Sequence, residues 1–227
     1  MRSFSEAFSA CGFRACALTP VYGLAESTLM VTAHRTEHHR SSPVARQWIK
    51  SALAAGRLAE PAGPDDIHEL VQLGAPPHAD HRVSIVDPHT LSPLPDGRVG
   101  EIWVHGPSVA QGYWDRPDLS QETFGAVLDA PTCTYLRTGD LGALIDGELV
   151  VTGRIKEMMI LQGRNVYPQD IEQTVEALDP AFRRNGCAAF TVERESGARL
   201  VLVQEVERRQ QPKTEDLYPR VRTALAE

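Results

Sequence analysis

An aspartate and an arginine, Asp140 and Arg154, flank an Asp146-Gly147 pair in residues 135–168, YLRTGDLGALIDGELVVTGRIKEMMILQGRNVYP. Asp-Gly between the apolar runs 141–145 and 149–151 favours a two-residue type I′ turn, because both central residues need positive φ. Pairing across that turn sets Asp140 opposite Gly153 and Arg154 opposite Gly139. Carboxylate and guanidinium then meet at the open end of one hairpin, among glycines that let a ligand approach closely. An acceptor beside a forked donor suits a vicinal diol, such as the two hydroxyls of a ribose. The same pair also suits an ion bridge that merely closes two strand ends. Geometry alone leaves both readings open.

The elements that must position this pair follow from the apolar pattern. Residues 3–10 read as the end of an amphipathic helix with Phe4, Ala7 and Phe8 on one face, and residues 15–18 as a short buried strand. Phe4, Phe8 and Phe13 have nothing before them to pack against, which leads us to expect a preceding segment. Residues 24–29 suit a short helix. Residues 33–80 differ in kind: a polar stretch with His34, His38 and His39, a helix at about 44–55, then a Pro/Gly/Asp segment. This region reads as a surface excursion. Its histidines lack Cys or carboxylate companions at ligand spacing, which favours a solvated loop over a metal site. Residues 81–153 are β-rich: strands at 82–86 and 101–105, a short helix at 120–124, then the hairpin. Beyond residue 157 the order strand (158–161), helix (from Pro168), strand (187–192), strand (200–206), helix (217–226) describes a small α/β layer with one sheet. Gly163 and Asn165 should end its first strand. Lys156 lies between the two parts, either as a hinge position or as an exposed strand-end lysine.

Composition narrows the classes. The chain has 227 residues, 42% of them apolar, enough for a core, and its net charge of −7 argues against nucleic acid as the main partner. Cys11, Cys16, Cys133 and Cys187 show no CxxC pair and no regular spacing, as expected of reduced thiols in a cytoplasmic protein. No stretch is long and apolar enough to span a membrane.

Four blocks, in order, carry a resemblance to a known family: YGLAEST from Tyr22, GEIWVHGPSVAQGYW from Gly100, YLRTGDLG from Tyr135, and GRIKE from Gly153 continuing into GRNVYPQDIE from Gly163. Together they resemble the adenylate-forming acyl ligases and, within them, the fatty acyl-AMP ligases. The segment at about 41–69 sits where that branch carries an extra insertion, thought to restrain domain motion and disfavour CoA. The resemblance implies a mixed α/β (α+β) fold. Residues 1–153 would be the later portion of a large AMP-binding domain, 154–157 a hinge, and 158–227 an incomplete small C-terminal domain. It also implies activation of a fatty acid with ATP and magnesium to an acyl-adenylate, which passes to the phosphopantetheine thiol of an acyl carrier protein, free-standing or joined to a polyketide or peptide synthase. Asp140 and Arg154 would bind the ribose hydroxyls. Tyr22 would lie against the adenine, Gly23 beside it would also belong to the ATP/AMP-binding site, Glu26 would hold the magnesium, and Lys156 would be the hinge.

Departures are mild. Glu157 stands where the family usually has Asp, Val166 where acyl-AMP ligases often have His, and Leu73 where many have Cys. Absences weigh more. No Gly-rich phosphate loop followed by Lys occurs, and the family's late lysine has no counterpart, since Lys213 lacks the Gly-Lys context. The catalytic set is therefore incomplete, and the chain alone is expected to catalyse no adenylation. A non-catalytic module that binds carrier protein and a fragment of an acyl-CoA synthetase are the competing expectations.

Overall fold

Apolar alternation along the chain sets the element order. The computed structural model describes residues 2–34, 45–63, 66–128, 133–161, 164–192, 199–207 and 214–225, in two compact units, Met1–Ile155 and Lys156–Glu227. The first unit contains α1 (Arg2–Ser9), β1 (Val21–Leu24), β2 (Leu29–Ala33), β3 (Ala45–Ile49), α2 (Lys50–Ala54), β4 (Ile67–Val71), β5 (Arg82–Val86), β6 (Gly100–His105), α3 (Pro117–Phe124), β7 (Ala126–Val127), β8 (Thr134–Ile145) and β9 (Glu148–Arg154). The second contains β10 (Met159–Leu161), β11 (Arg164–Val166), α4 (Pro168–Ala177), β12 (Phe182–Val192), β13 (Arg199–Val206) and α5 (Thr214–Ala224). The result is mixed α/β and strand-rich.

An antiparallel sheet in the order β5-β6-β8-β7, with β9 also paired to β8, forms the frame of the first unit. Its central strand β6 is covered on both faces. Ile102 and Val104 enter a core with Ile85, Leu136, Leu149, Val31, Tyr22 and Phe124. Trp103 turns the other way to join Val86 and Tyr135, as the period of two demands. Burying a side chain the size of Ile102 contributes about 1.5–3 kcal/mol, so this strand fixes what its neighbours present.

Asp146 and Gly147 have φ of 52° and 77°, as a type I′ turn requires. The register above the turn departs from the sequence expectation. Gly142 pairs with Val151, but Leu141 pairs with Gly153 and Asp140 with Arg154. Thr152 is an extra residue, a bulge that shifts the far end of β9 by one position. Asp140 therefore faces Arg154 directly rather than Gly153.

Other expectations change as well. Residues 15–18 form a 3₁₀ turn, Ala15–Ala17, with none of the three residues buried. The helix expected at 24–29 shrinks to a 3₁₀ turn, Ala25–Ser27, between β1 and β2. The helix expected at 44–55 is strand β3 followed by the short α2. β3 pairs with β4, and Trp48 is fully buried, so this segment builds core as well as surface. His34 is buried beside Glu148, at 3.5 Å, while His38 and His39 lie outside the described residues. Helix α3 begins at Pro117 rather than 120, because proline suits a first helical turn.

In the second unit, Pro168 opens α4, and Ile171 and Val175 bury one face with Met159, Phe182, Ala189 and Leu217. Asn165 lies inside β11 and pairs with Ile160, so the chain here folds back as a hairpin rather than breaking; Gly163 lies outside the described residues. Among the described residues of this unit there are two two-stranded sheets, β10-β11 and β12-β13, rather than one. Glu172 and Glu176, one helical turn apart on α4, accept the Ala189 and Gly186 amides of β12 and fasten helix to hairpin.

Candidate nucleoside site

Tyr22, Asp140 and Arg154 come together. Strand β1 carries Tyr22, whose hydroxyl donates to Asp140 Oδ2 at 2.7 Å. Arg154 Nε donates to Asp140 Oδ1 at 2.7 Å. Asp140 is 6% exposed, whereas the Arg154 side chain is 61% exposed. The pair is thus a buried acceptor with a solvent-facing cation. Each carboxylate oxygen keeps one lone-pair direction after these bonds, so two hydroxyl donors can still be received. That acceptor set fits a ribose diol. Burial above all, with the Asp140 carboxylate adding to it, pushes the Tyr22 phenol well above the ordinary tyrosine range. It stays a proton donor at neutral pH.

Local sequence explains how Asp140 is presented. Between the β6/β8 pairs Trp103↔Arg137 and Glu101↔Leu141, only Ile102 stands on β6, while Thr138, Gly139 and Asp140 stand on β8. The surplus bulges out, and Gly139 adopts φ 71° within it, which costs glycine least. Thr138 Oγ1 donates to Ile102 O at 2.7 Å and accepts the Asp140 amide at 3.1 Å.

Gly23, expected in the ATP/AMP-binding site, has a packing reason of its own. A Cβ there would lie 1.5 Å from Leu29 O, so β1 and β2 approach this closely only with glycine. Glu26 sits on the 3₁₀ turn after β1, half-buried, and has no bond to the Asp140 group. Its Oε1 accepts the Tyr113 hydroxyl at 2.8 Å, and its backbone carbonyl accepts the Ala110 amide at 2.8 Å. Burial first, then this bond to Glu26, raises the Tyr113 phenol. A single carboxylate with a free second oxygen fits a magnesium ion whose remaining ligands are water and phosphate. Among the described residues no group of three or more ligand side chains exists that would hold a metal without such help. Lys156 is exposed in the turn after β9 and begins the second unit.

Residues without a role assigned from sequence complete the surroundings. Ser108 accepts or donates to Ser27 Oγ at 3.0 Å and to His81 Nε2 at 2.9 Å, and its carbonyl accepts Thr28 Oγ1. His81 Nδ1 meets Asp80 at 2.9 Å. The loop 108–113 thereby grips the turn that carries Glu26. Thr28 and Leu29 hold φ of 53° and 87° there, a strained conformation that needs such support. The block GPSVAQGYW displayed these residues, but nothing in its spacing says that they meet residues 26–28.

The chain resembles known proteins in sequence and in fold. A family model described as AMP-binding enzyme matches residues 1–114. The chain is 44% identical over 220 residues to the medium-chain-fatty-acid–[acyl-carrier-protein] ligase JamA of Moorena producens, covering 96% of this chain and 36% of that protein. It is similar to a structure from work on the fatty acyl-adenylate ligases of E. coli and L. pneumophila, with TM-score 0.80, 27% identity, and coverage of 99% of this chain and 38% of that one. It is also similar to the L. pneumophila fatty acyl-adenylate ligase in complex with acyl adenylate and pyrophosphate, with TM-score 0.63, 37% identity, and coverage of 98% and 38%. The chain spans little over a third of the length of these relatives. With half of its residues matched by the family model, this chain belongs to the AMP-binding enzyme family.

Proposed function

We propose that this chain carries the nucleoside-binding edge and the hinge of a fatty acyl-AMP ligase. The observation that carries the reading is the buried Asp140 carboxylate held between the Tyr22 hydroxyl and the Arg154 guanidinium. Asp140 accepts the ribose hydroxyls, Arg154 lies at the rim, and Tyr22 both orients Asp140 and offers its ring to the adenine. Glu26 would hold magnesium, which when bound supplies charge neutralisation at the phosphates.

In the reaction of the whole protein, a fatty carboxylate oxygen attacks the α-phosphorus of ATP. The bond to the bridging oxygen breaks, and pyrophosphate leaves with the electron pair. The thiol of a carrier protein's phosphopantetheine then takes the acyl group, and AMP departs. This chain's contribution is placement of the nucleoside. Lys156, at the start of the second unit, is the hinge between the two half-reactions. The carrier-protein acceptor is supported by the name of the JamA ligase. The acidic net charge and the four free cysteines suit a cytoplasmic setting.

Calorimetric titration of the chain with AMP and with 2′,3′-dideoxy-AMP tests this reading. We expect tighter binding of AMP by about tenfold, lost in Asp140→Ala. Equal binding of the two nucleotides would reject it.

A further inference from the structure

We propose that Glu101 is a positioning residue for the ribose site, setting Asp140 through the bulge of β8; this rests on the reading of Asp140 as the diol acceptor. Glu101 is 2% exposed, an anion almost fully withdrawn from water. Such a group persists only where donors satisfy it. Four donors do so: Trp103 Nε1 at 2.9 Å, Arg137 Nε at 3.1 Å and Nη2 at 2.8 Å, and the Gly139 amide at 3.2 Å. The first three hold the carboxylate still. Trp103 shares its sheet face two residues along, and Arg137 packs its guanidinium over the Trp103 ring at 5.5 Å.

The fourth donor carries the argument. Gly139 is the middle residue of the three that crowd opposite Ile102, and it immediately precedes Asp140. A bulge leaves its residues without the ladder bonds to the strand opposite, here β6. Glu101 supplies the missing partner from below, and Thr138 Oγ1 supplies another to the Asp140 amide. The backbone at 138–140 is thus tied at successive amides, one to a buried charge and one to a hydroxyl. Asp140 leaves this stretch aimed between Tyr22 and Arg154. A simple strand pairing would need no carboxylate at residue 101, and valine or threonine would fill the space better. The cost of burying this charge is understandable if its use is to define where the next side chain points.

The test measures the ratio of AMP to 2′,3′-dideoxy-AMP affinity in the 227-residue chain. Glu101→Gln keeps the shape but offers its amide nitrogen where only acceptors are wanted. The ratio is expected to fall from about tenfold to about twofold. Thr138→Val removes the second tie and leaves the Glu101 carboxylate in place; a similar fall is expected. Val83→Ala, in the neighbouring strand β5, lowers stability without touching the bulge and is expected to keep the wild-type ratio. A folded Glu101→Gln or Thr138→Val protein with the wild-type ratio overturns the proposal while leaving the ribose reading intact. A fall of the ratio in Val83→Ala also overturns it, since general loosening would then suffice. A wild-type chain without preference overturns the ribose reading and this inference with it.

Discussion

Tyr22 and Asp140 stand 118 residues apart in the chain and share a hydrogen bond of 2.7 Å. That bond joins the small β1-β2 ribbon to the main sheet at the point where the nucleoside is proposed to bind. Tyr22→Phe keeps the ring and removes the donor, leaving one oxygen of a buried carboxylate short of a partner. We expect a loss of about 1–2 kcal/mol in stability, read from the urea midpoint, and weaker AMP binding.

The same phenol makes stability depend on alkaline pH. Its folded pKa is raised, chiefly by burial, so the folded state binds the proton more tightly than the unfolded chain, where tyrosine ionises near about pH 10. This contribution is full below about pH 10 and is lost as the pH rises further. Urea titrations from pH 8 to 11 are expected to show stability dropping at the alkaline end, with a smaller drop in Tyr22→Phe. An identical slope in both proteins would contradict the assignment.

Cys187 should behave likewise in the second unit. Burial, then the nearby Glu172 and Glu176 carboxylates, push its thiol up to about 11, against about 8.5 for an unfolded cysteine. Its stabilising effect is complete below about pH 8.5 and fades as the pH approaches 11. Thiolate is the reactive form, so iodoacetamide at pH 8 should modify the exposed Cys11 well before Cys187. Peptide mass mapping of a time course reads the order directly.

Tyr113 and Glu26 offer a separate handle on the metal. Tyr113→Phe frees the Glu26 carboxylate from the 2.8 Å bond that orients it. AMP binding is expected to stay unchanged, while the gain in ATP affinity on adding magnesium drops several-fold. Glu26→Gln should remove that gain altogether. Calorimetry with and without magnesium distinguishes the two.

At the hairpin, Gly147 has φ 77° and open space around an added Cβ. Gly147→Ala therefore meets backbone strain and no clash. A destabilisation of about 1 kcal/mol is expected, with the AMP to dideoxy-AMP ratio preserved.

The sequence made the site legible where local chemistry dictates structure. Asp146-Gly147 announces its own turn, and the turn alone brings Asp140 near Arg154. The one-residue error in their register has a physical source: Thr152 is an ordinary strand residue, and a bulge there answers to the packing of β8 between β6 and β9. The pattern at 171, 175 and 178 likewise disclosed the buried face of α4. Long-range partnerships stayed hidden. Nothing about Glu101 says that a glycine amide far along the chain is its partner, and nothing about Ser108 says that it reaches Ser27 and His81. Residues 15–18 misled because a short apolar run suits strand and helix almost equally, and residues 45–49 because the spacing of Val44, Trp48 and Leu53 suits a helix where pairing with β4 makes a strand.

Gly139 offers its amide to Glu101, and its carbonyl accepts the Ile155 amide at 2.9 Å. Ile155 is the last residue of the first unit. Its proton can exchange with solvent only when the Gly139 carbonyl lets go, and that carbonyl belongs to the peptide that leads into Asp140. The Ile155 amide is therefore a built-in clock: its deuterium uptake counts the openings of the ribose edge, and a nucleoside that locks Asp140 in place slows it.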